Sequence, residues 1–122
     1  MPQEHPSQEL LIASLTPQNL ERGILWFSEN TESIRKAAKT HLWWRENAFF
    51  IETNLVMSPL VFTRRLSDFG YERSAHVAGK GVFAARGGFI ELWPVNSQKP
   101  SIVEFHGMLS AQLSNARIVM KK

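Results

Sequence analysis

A Gly-Gly pair between two short apolar segments constrains this 122-residue chain more than any other feature. Residues 82–86 before it and 89–93 after it have strand composition. Gly87-Gly88 suits a two-residue hairpin turn, because both central positions can take positive φ without steric cost. The return segment alternates, with Ile90 and Leu92 on one face and Phe89, Glu91 and Trp93 on the other. Pro94 ends it, having no N–H for the ladder. A polar turn over 96–100 leads to a third strand at 101–105, closed by Gly107. Residues 109–113 or 116–120 can supply a fourth. Upstream, Ser58 followed by Pro59 predicts a helix over 60–69 with Phe62, Leu66 and Phe69 on one face and Gly70 as its left-handed cap. One helix on a twisted antiparallel sheet is an α+β arrangement.

The N-terminal part reads less sharply. Residues 1–8 are polar, carry two prolines and are expected to be mobile. Residues 9–14 contain Leu-Leu-Ile-Ala and suggest a short helix. Thr16 before Pro17 predicts one or two helical turns over 17–22, stopped by Gly23. The run Gly-Ile-Leu-Trp-Phe at 23–27 reads as a buried strand. Residues 28–30 read as a loop, with Asn30 or Thr31 capping a helix that runs to about Trp44 and presents Ile34, Ala37, Ala38 and Leu42 as its stripe. Residues 48–53 read as another strand. Strand, helix and strand suggest a small βαβ-like unit with parallel pairing. The expected division is therefore 1–54, a short strand–helix–strand segment, and 55–122, a small antiparallel sheet with one packed helix.

Composition narrows the chemistry. Hydrophobic residues at 43% and charged residues at 20% describe an ordinary globular chain. No cysteine is present, which removes disulfides, thiolate catalysis and cysteine-based zinc sites together. The apolar runs fall well short of the ~20 residues that span a bilayer. The first ten residues lack the basic start of a signal peptide, so a cytoplasmic location is expected. The net charge of +3 is spread along the chain, with pairs only at Arg64-Arg65 and Lys121-Lys122. That distribution suits solubility better than a phosphate-binding surface.

Gly79-Lys80-Gly81 lacks phosphate-loop spacing and leads into a strand. His5, His41, His76 and His106 have no helical ligand spacing. Glu104 and His106 share a strand face but would need a third ligand such as Glu91, so no metal and no cofactor is expected. No nucleophile–base–carboxylate motif is visible, so no catalysis is expected. Trp43, Trp44 and Arg45 could stack on single-stranded nucleic acid, although paired tryptophans more often seal a core. Arg73, Arg86, Glu91 and Glu104 stand on or beside the sheet and could be ordinary solvated charges.

The ordered set of motifs resembles the UvrB-interaction module shared by UvrB and the transcription-repair coupling factors. The resemblance rests on Gly70-Tyr71-Glu72-Arg73 closing a helix and on Val77, Gly81 and Phe83 at the expected spacing. It continues through Arg86-Gly87-Gly88-Phe89-Ile90-Glu91-Leu92-Trp93-Pro94 and Glu104-Phe105-His106-Gly107, and covers roughly residues 55–115. It implies a non-catalytic recognition module in bacterial nucleotide excision repair, with UvrA or a UvrA-like ATPase as partner. DNA would then be met only within a larger complex. The resemblance assigns partner contact to the sheet surface, with Arg73, Arg86 and Glu104 matching the family's arginines and acidic residue. Relatives place an arginine two residues before that acidic residue and two acidic residues after the closing glycine. Here those positions hold Ile102, Met108 and Leu109, which suggests apolar packing against the partner or self-association. The missing phosphate loop favours a coupling-factor relative or a fragment of one, incapable of binding ATP. A nucleic-acid-binding module stays open as the alternative.

Overall fold

A computed structural model describes residues 9–52, 55–106 and 114–120. The expectations for residues 1–8, Gly107, Met108 and 109–113 lie outside these. The chain runs β1 (Glu9–Ala13), α1 (Pro17–Thr40), α2 (Leu42–Asn47), β2 (Ala48–Glu52), β3 (Val56–Met57) and α3 (Pro59–Asp68), then β4 (Glu72–Arg73), β5 (Val82–Arg86), β6 (Phe89–Leu92), β7 (Ser101–His106) and β8 (Ser114–Met120). β1 and β2 form a two-stranded sheet. The other strands form a six-stranded sheet in the order β3-β8-β7-β6-β5-β4. Its neighbours are antiparallel except β4 and β5, which run parallel. The small α+β architecture is the expected one.

Local chemistry explains the second half. Ser58 Oγ accepts from the backbone N–H groups of Leu60 and Val61 and Pro59 opens α3, as an N-cap followed by proline should. Phe62 and Leu66 are fully buried and Phe69 nearly so. Gly70, at φ 93°, turns the chain out of the helix. Gly87, at φ 54°, makes the β5–β6 turn. β8 realises the later of the two fourth-strand options.

The first half departs from the sequence reading in three places. Residues 9–13 form a strand, not a helix. Five residues gain little from one helical turn, whereas here they pair in register with β2, Leu10 opposite Ile51 and Ile12 opposite Phe49. Residues 24–30 are helical, not a buried strand and loop. Leu25 is 69% exposed while Phe27 and Ile34 are buried, the spacing of one helix face. Asn30 and Thr31 do not cap a helix start. Their side chains donate to the carbonyls four residues back, Trp26 and Phe27, so they sit inside a helical stretch that had already begun after Gly23. Gly23, at φ 80° and ψ 169°, is itself non-helical and divides α1 into two helices, so the turns over 17–22 stop at Gly23 as expected.

The third departure is topological. β1 and β2 are antiparallel, not a parallel βαβ pair. The helical excursion leaves and returns at the same end of the pair, where Ala13 faces Ala48 and the Ser14 N–H donates to the Asn47 carbonyl at 3.0 Å. The kink at Gly23 and the extended His41 between α1 and α2 allow that return.

Two hydrophobic clusters meet at the β1–β2 pair. Leu11, Ala13 and Ala48 pack towards Phe27 and Ile34 of α1. Ile12, Phe49 and Ile51 pack with Phe62, Leu66, Phe69, Tyr71, Phe83, Ile90, Leu92, Val103 and Ile118. Alternate residues therefore serve opposite layers. Burying each such side chain is worth about 1.5–3 kcal/mol. Polar contacts fasten the same junction. The Tyr71 hydroxyl donates to the Ala13 carbonyl at 2.8 Å and accepts from the Val95 N–H at 3.1 Å. Burial pushes its phenol above the ordinary value, while the Val95 N–H pulls more weakly the other way. The Asn96 amide accepts from Ala13 N–H at 3.0 Å and donates to the Leu11 carbonyl at 2.8 Å, standing in for a neighbouring strand on the outer edge of β1.

Candidate protein-interaction face

Strand periodicity divides the six-stranded sheet into two faces. Phe83, Ile90, Leu92, Val103 and Ile118 point inward to α3 and the β1–β2 pair. The other face is read from the register. Arg86 lies opposite Phe89, and Phe89 opposite Glu104, making one row across β5, β6 and β7 whose register continues to Arg117. The next row runs Ala84, Glu91, Ile102, with its register continuing to Val119.

The rows differ in access. Ala84 and Glu91 are buried, at 1% and 8%, and Ile102 is half-buried. In the row at the hairpin end, Arg86 is exposed, Phe89 is 37% exposed and Glu104 is half-buried. The Arg86 guanidinium donates to the Ala75 carbonyl and lies 3.4 Å from His76 Nδ1, which fixes it against residues 75–76.

These positions sort the residues expected from the sequence. Arg86 and Glu104 share the open row. Glu91 and Ile102 share the more covered one, so Glu91 is not a solvated surface charge. Ile102 lies on the outer face beside Glu104, not in the sheet's own core. Arg73 is exposed, but β4 pairs it with Phe83, whose side chain points to the core. The register thus sets Arg73 at the sheet edge and off the row of Arg86. Alternation places Phe89 on this face, and the register sets it between Arg86 and Glu104. The missed signal is a large aromatic residue flanked by opposite charges on both neighbouring strands.

The second candidate lies on α1 and α2. Trp44 stacks on Trp26 with centroids 6.1 Å apart and planes 12° apart, and Trp43 meets Trp44 edge-on at 4.8 Å. The Arg22 guanidinium lies 4.4 Å from the Trp26 ring and 4.8 Å from that of Trp44. Arg45 donates to the carbonyls of Ala38 and Lys39, closing the end of α1. Trp26 is not legible because residues 23–27 read as a strand, and Arg22 because the rings it meets lie beyond the Gly23 kink. A cleft of about 170 Å³ between β1, α1 and Asn96 is smaller than the ~300 Å³ at which small-molecule sites begin. Among the described residues no group of three or more His, Asp or Glu side chains is placed to hold a metal, and no helix is long and apolar enough to cross a membrane.

Comparison with known proteins falls on the same sheet. The family described as the UvrB interaction domain matches residues 50–117, from β2 into β8. Over 61 residues the chain is 34% identical to the transcription-repair-coupling factor of Bacillus subtilis (strain 168), covering 50% of this chain and 5% of that protein. Over 57 residues it is 35% identical to the UvrABC system protein B of Pseudothermotoga lettingae, covering 47% of this chain and 9% of that protein. The chain thus spans a small fraction of the length of either relative. With more than half of its residues matched, including every strand that builds the candidate face, this protein belongs to the UvrB interaction domain family.

Proposed function

We propose that this chain is a non-catalytic recognition module of nucleotide excision repair that binds UvrA, or a UvrA-like ATPase, through the outer face of its six-stranded sheet. The observation that supports it best is the coincidence of the family match with a sheet whose open row carries Arg86, Phe89 and Glu104. Arginine suits such a contact because its planar fork bonds carboxylates and carbonyls bidentately. Glu91 and Ile102 take part at the margins, from the more covered row, whereas Arg73 on the edge strand shares the register of core-facing Phe83 and stands apart from this face. Residues 55–122 then carry the contact, and residues 9–52 buttress its back through the shared core.

On this reading the chain works in the cytoplasm and neither binds nor hydrolyses ATP. Micromolar ATP affinity, displaced by ADP, would count against it. The nucleic-acid alternative draws on Trp43, which is 36% exposed. It draws less on Arg22 and Arg45, whose guanidinium groups are engaged within the chain. Calorimetric titration with purified bacterial UvrA at two salt concentrations separates the readings. A packed protein interface weakens modestly with salt. Phosphate binding to single-stranded DNA falls steeply, by orders of magnitude over a few-fold rise in salt. Saturable UvrA binding with a shallow salt slope is the expected result.

A further inference from the structure

We infer that Phe89 is the apolar anchor of this face, and that its partner offers an apolar depression flanked by an acidic group on one side and a basic group on the other. The inference rests on the proposed use of the face for protein recognition and specifies what that partner surface must look like. Phe89 stands at the start of β6, on the face away from the core, and remains 37% exposed. Nothing in a Gly-Gly hairpin requires an aromatic residue there. Its neighbours across the ladder are Arg86 on β5 and Glu104 on β7. With strands ~4.8 Å apart, their Cα atoms stand about 10 Å from one another on opposite sides of the ring. No ion pair joins the two among the described residues, and the register sets Arg117 of β8 on the far side of Glu104.

The other large exposed apolar residues described, such as Leu25 and Leu60, lie on helices, apart from Val56 on β3 at the far edge of the sheet. Phe89 differs in lying within the family-matched sheet with a cation on one side and an anion on the other. Ile102, half-buried two residues before Glu104 on the same face, extends the apolar surface diagonally from the ring. Arg86 is already held by the Ala75 carbonyl and beside His76, so less freedom is lost when it meets a carboxylate. An aromatic side chain beside an arginine is the composition typical of energetic centres of interfaces. The order cation, ring, anion admits one docking direction, since reversal would set like charges together.

Binding to purified bacterial UvrA, measured by calorimetry, tests this with three variants. Phe89→Ser is expected to lower affinity about tenfold or more, the effect of removing an interface anchor. Phe89→Leu is expected to stay within about threefold of the parent, because an apolar group still fills the depression. The double exchange Arg86→Glu with Glu104→Arg keeps the ring and the net charge but is expected to lose binding as well. If Phe89→Ser binds like the parent while the double exchange is weakened, the face works by charge alone: the anchor is wrong and the proposed function stands. If every variant binds like the parent, or the parent does not bind, the proposed use of the face fails and the anchor with it. If Phe89→Ser unfolds the chain by circular dichroism, the ring is structural and the inference is overturned.

Discussion

The two faces of the six-stranded sheet share one backbone and one period, yet differ in what they ask of the sequence. On the inner face Phe83, Ile90, Leu92, Val103 and Ile118 are all 5% exposed or less. They must interdigitate with α3 and the β1–β2 pair, and volume changes there are felt throughout the core. On the outer face the row of Arg86, Phe89 and Glu104 at the hairpin end is open. The difference teaches that stability and the proposed recognition are separable here: alternation gives the core to one side of the same strands and leaves the open row to the other. A variant of the inner face should report on folding, and one of the outer row on association.

The largest expected effect is on the inner side. Leu92→Ala should cost about 2–5 kcal/mol of folding stability, since Leu92 is fully buried and its removal leaves a cavity. Urea unfolding measures it. A loss of well under ~1 kcal/mol would mean that the inner face is not the tightly packed side.

Next come the polar fastenings that hold β1 to the sheet's end. Asn96→Ala deprives the Ala13 N–H and the Leu11 carbonyl of their partner and should cost about 1–3 kcal/mol. Hydrogen exchange should show β1 opening before the β5–β6 hairpin. Equal protection of the two would erase the distinction between buttress and sheet.

Tyr71 adds a pH dependence at the same junction. Burial raises its folded pKa, so above the ordinary tyrosine value of about 10 the unfolded chain loses the proton first. Its contribution to stability is therefore full below pH ~10 and declines as pH rises beyond it. In Tyr71→Phe that alkaline slope should shrink. An unchanged slope would mean that another group carries it.

The smallest effects on stability belong to the outer face. Ile102→Arg sets a cation across from Glu91 and should change stability by no more than ~1 kcal/mol, the range of a cross-strand pair. If apolar packing has replaced a charged contact of the relatives, the added arginine should tighten binding to a bacterial UvrA. If Ile102 is instead covered by a second copy of the chain, sedimentation should show weaker self-association. A strongly unfolded variant would place Ile102 with the inner face and break the comparison.

What could be read from the sequence follows the strength of local signals. Pro59 and Pro94 fix φ and Gly70 and Gly87 supply the positive φ that other residues avoid, so the hairpin, α3 and the two faces were legible. The run at 23–27 was not. A short apolar run fits a buried strand and a helix equally, and here tertiary packing chose the helix, with Phe27 buried and Leu25 exposed. Asn30 and Thr31 misled because their types favour caps, while their hydroxyl and amide bond back inside the helix instead. β1 was illegible for a different reason: its partners, β2 and Asn96, lie 35 or more positions further along. In the candidate site, Arg86 and Glu104 were found as a pair through the ordered motifs. Phe89 was visible on the correct face, but only the register sets it between them.

The most direct test of the central claim compares the parent chain with Arg86→Glu in UvrA binding, with unfolding followed alongside. Arg86 is exposed at a strand end and contacts only residues 75–76 among the hydrogen bonds described, so the unfolding midpoint should barely move. Affinity should fall by roughly 2 kcal/mol or more, about thirtyfold, the scale of an interface anchor. Undiminished affinity in a folded variant would contradict the assignment of the outer face as the UvrA-binding surface.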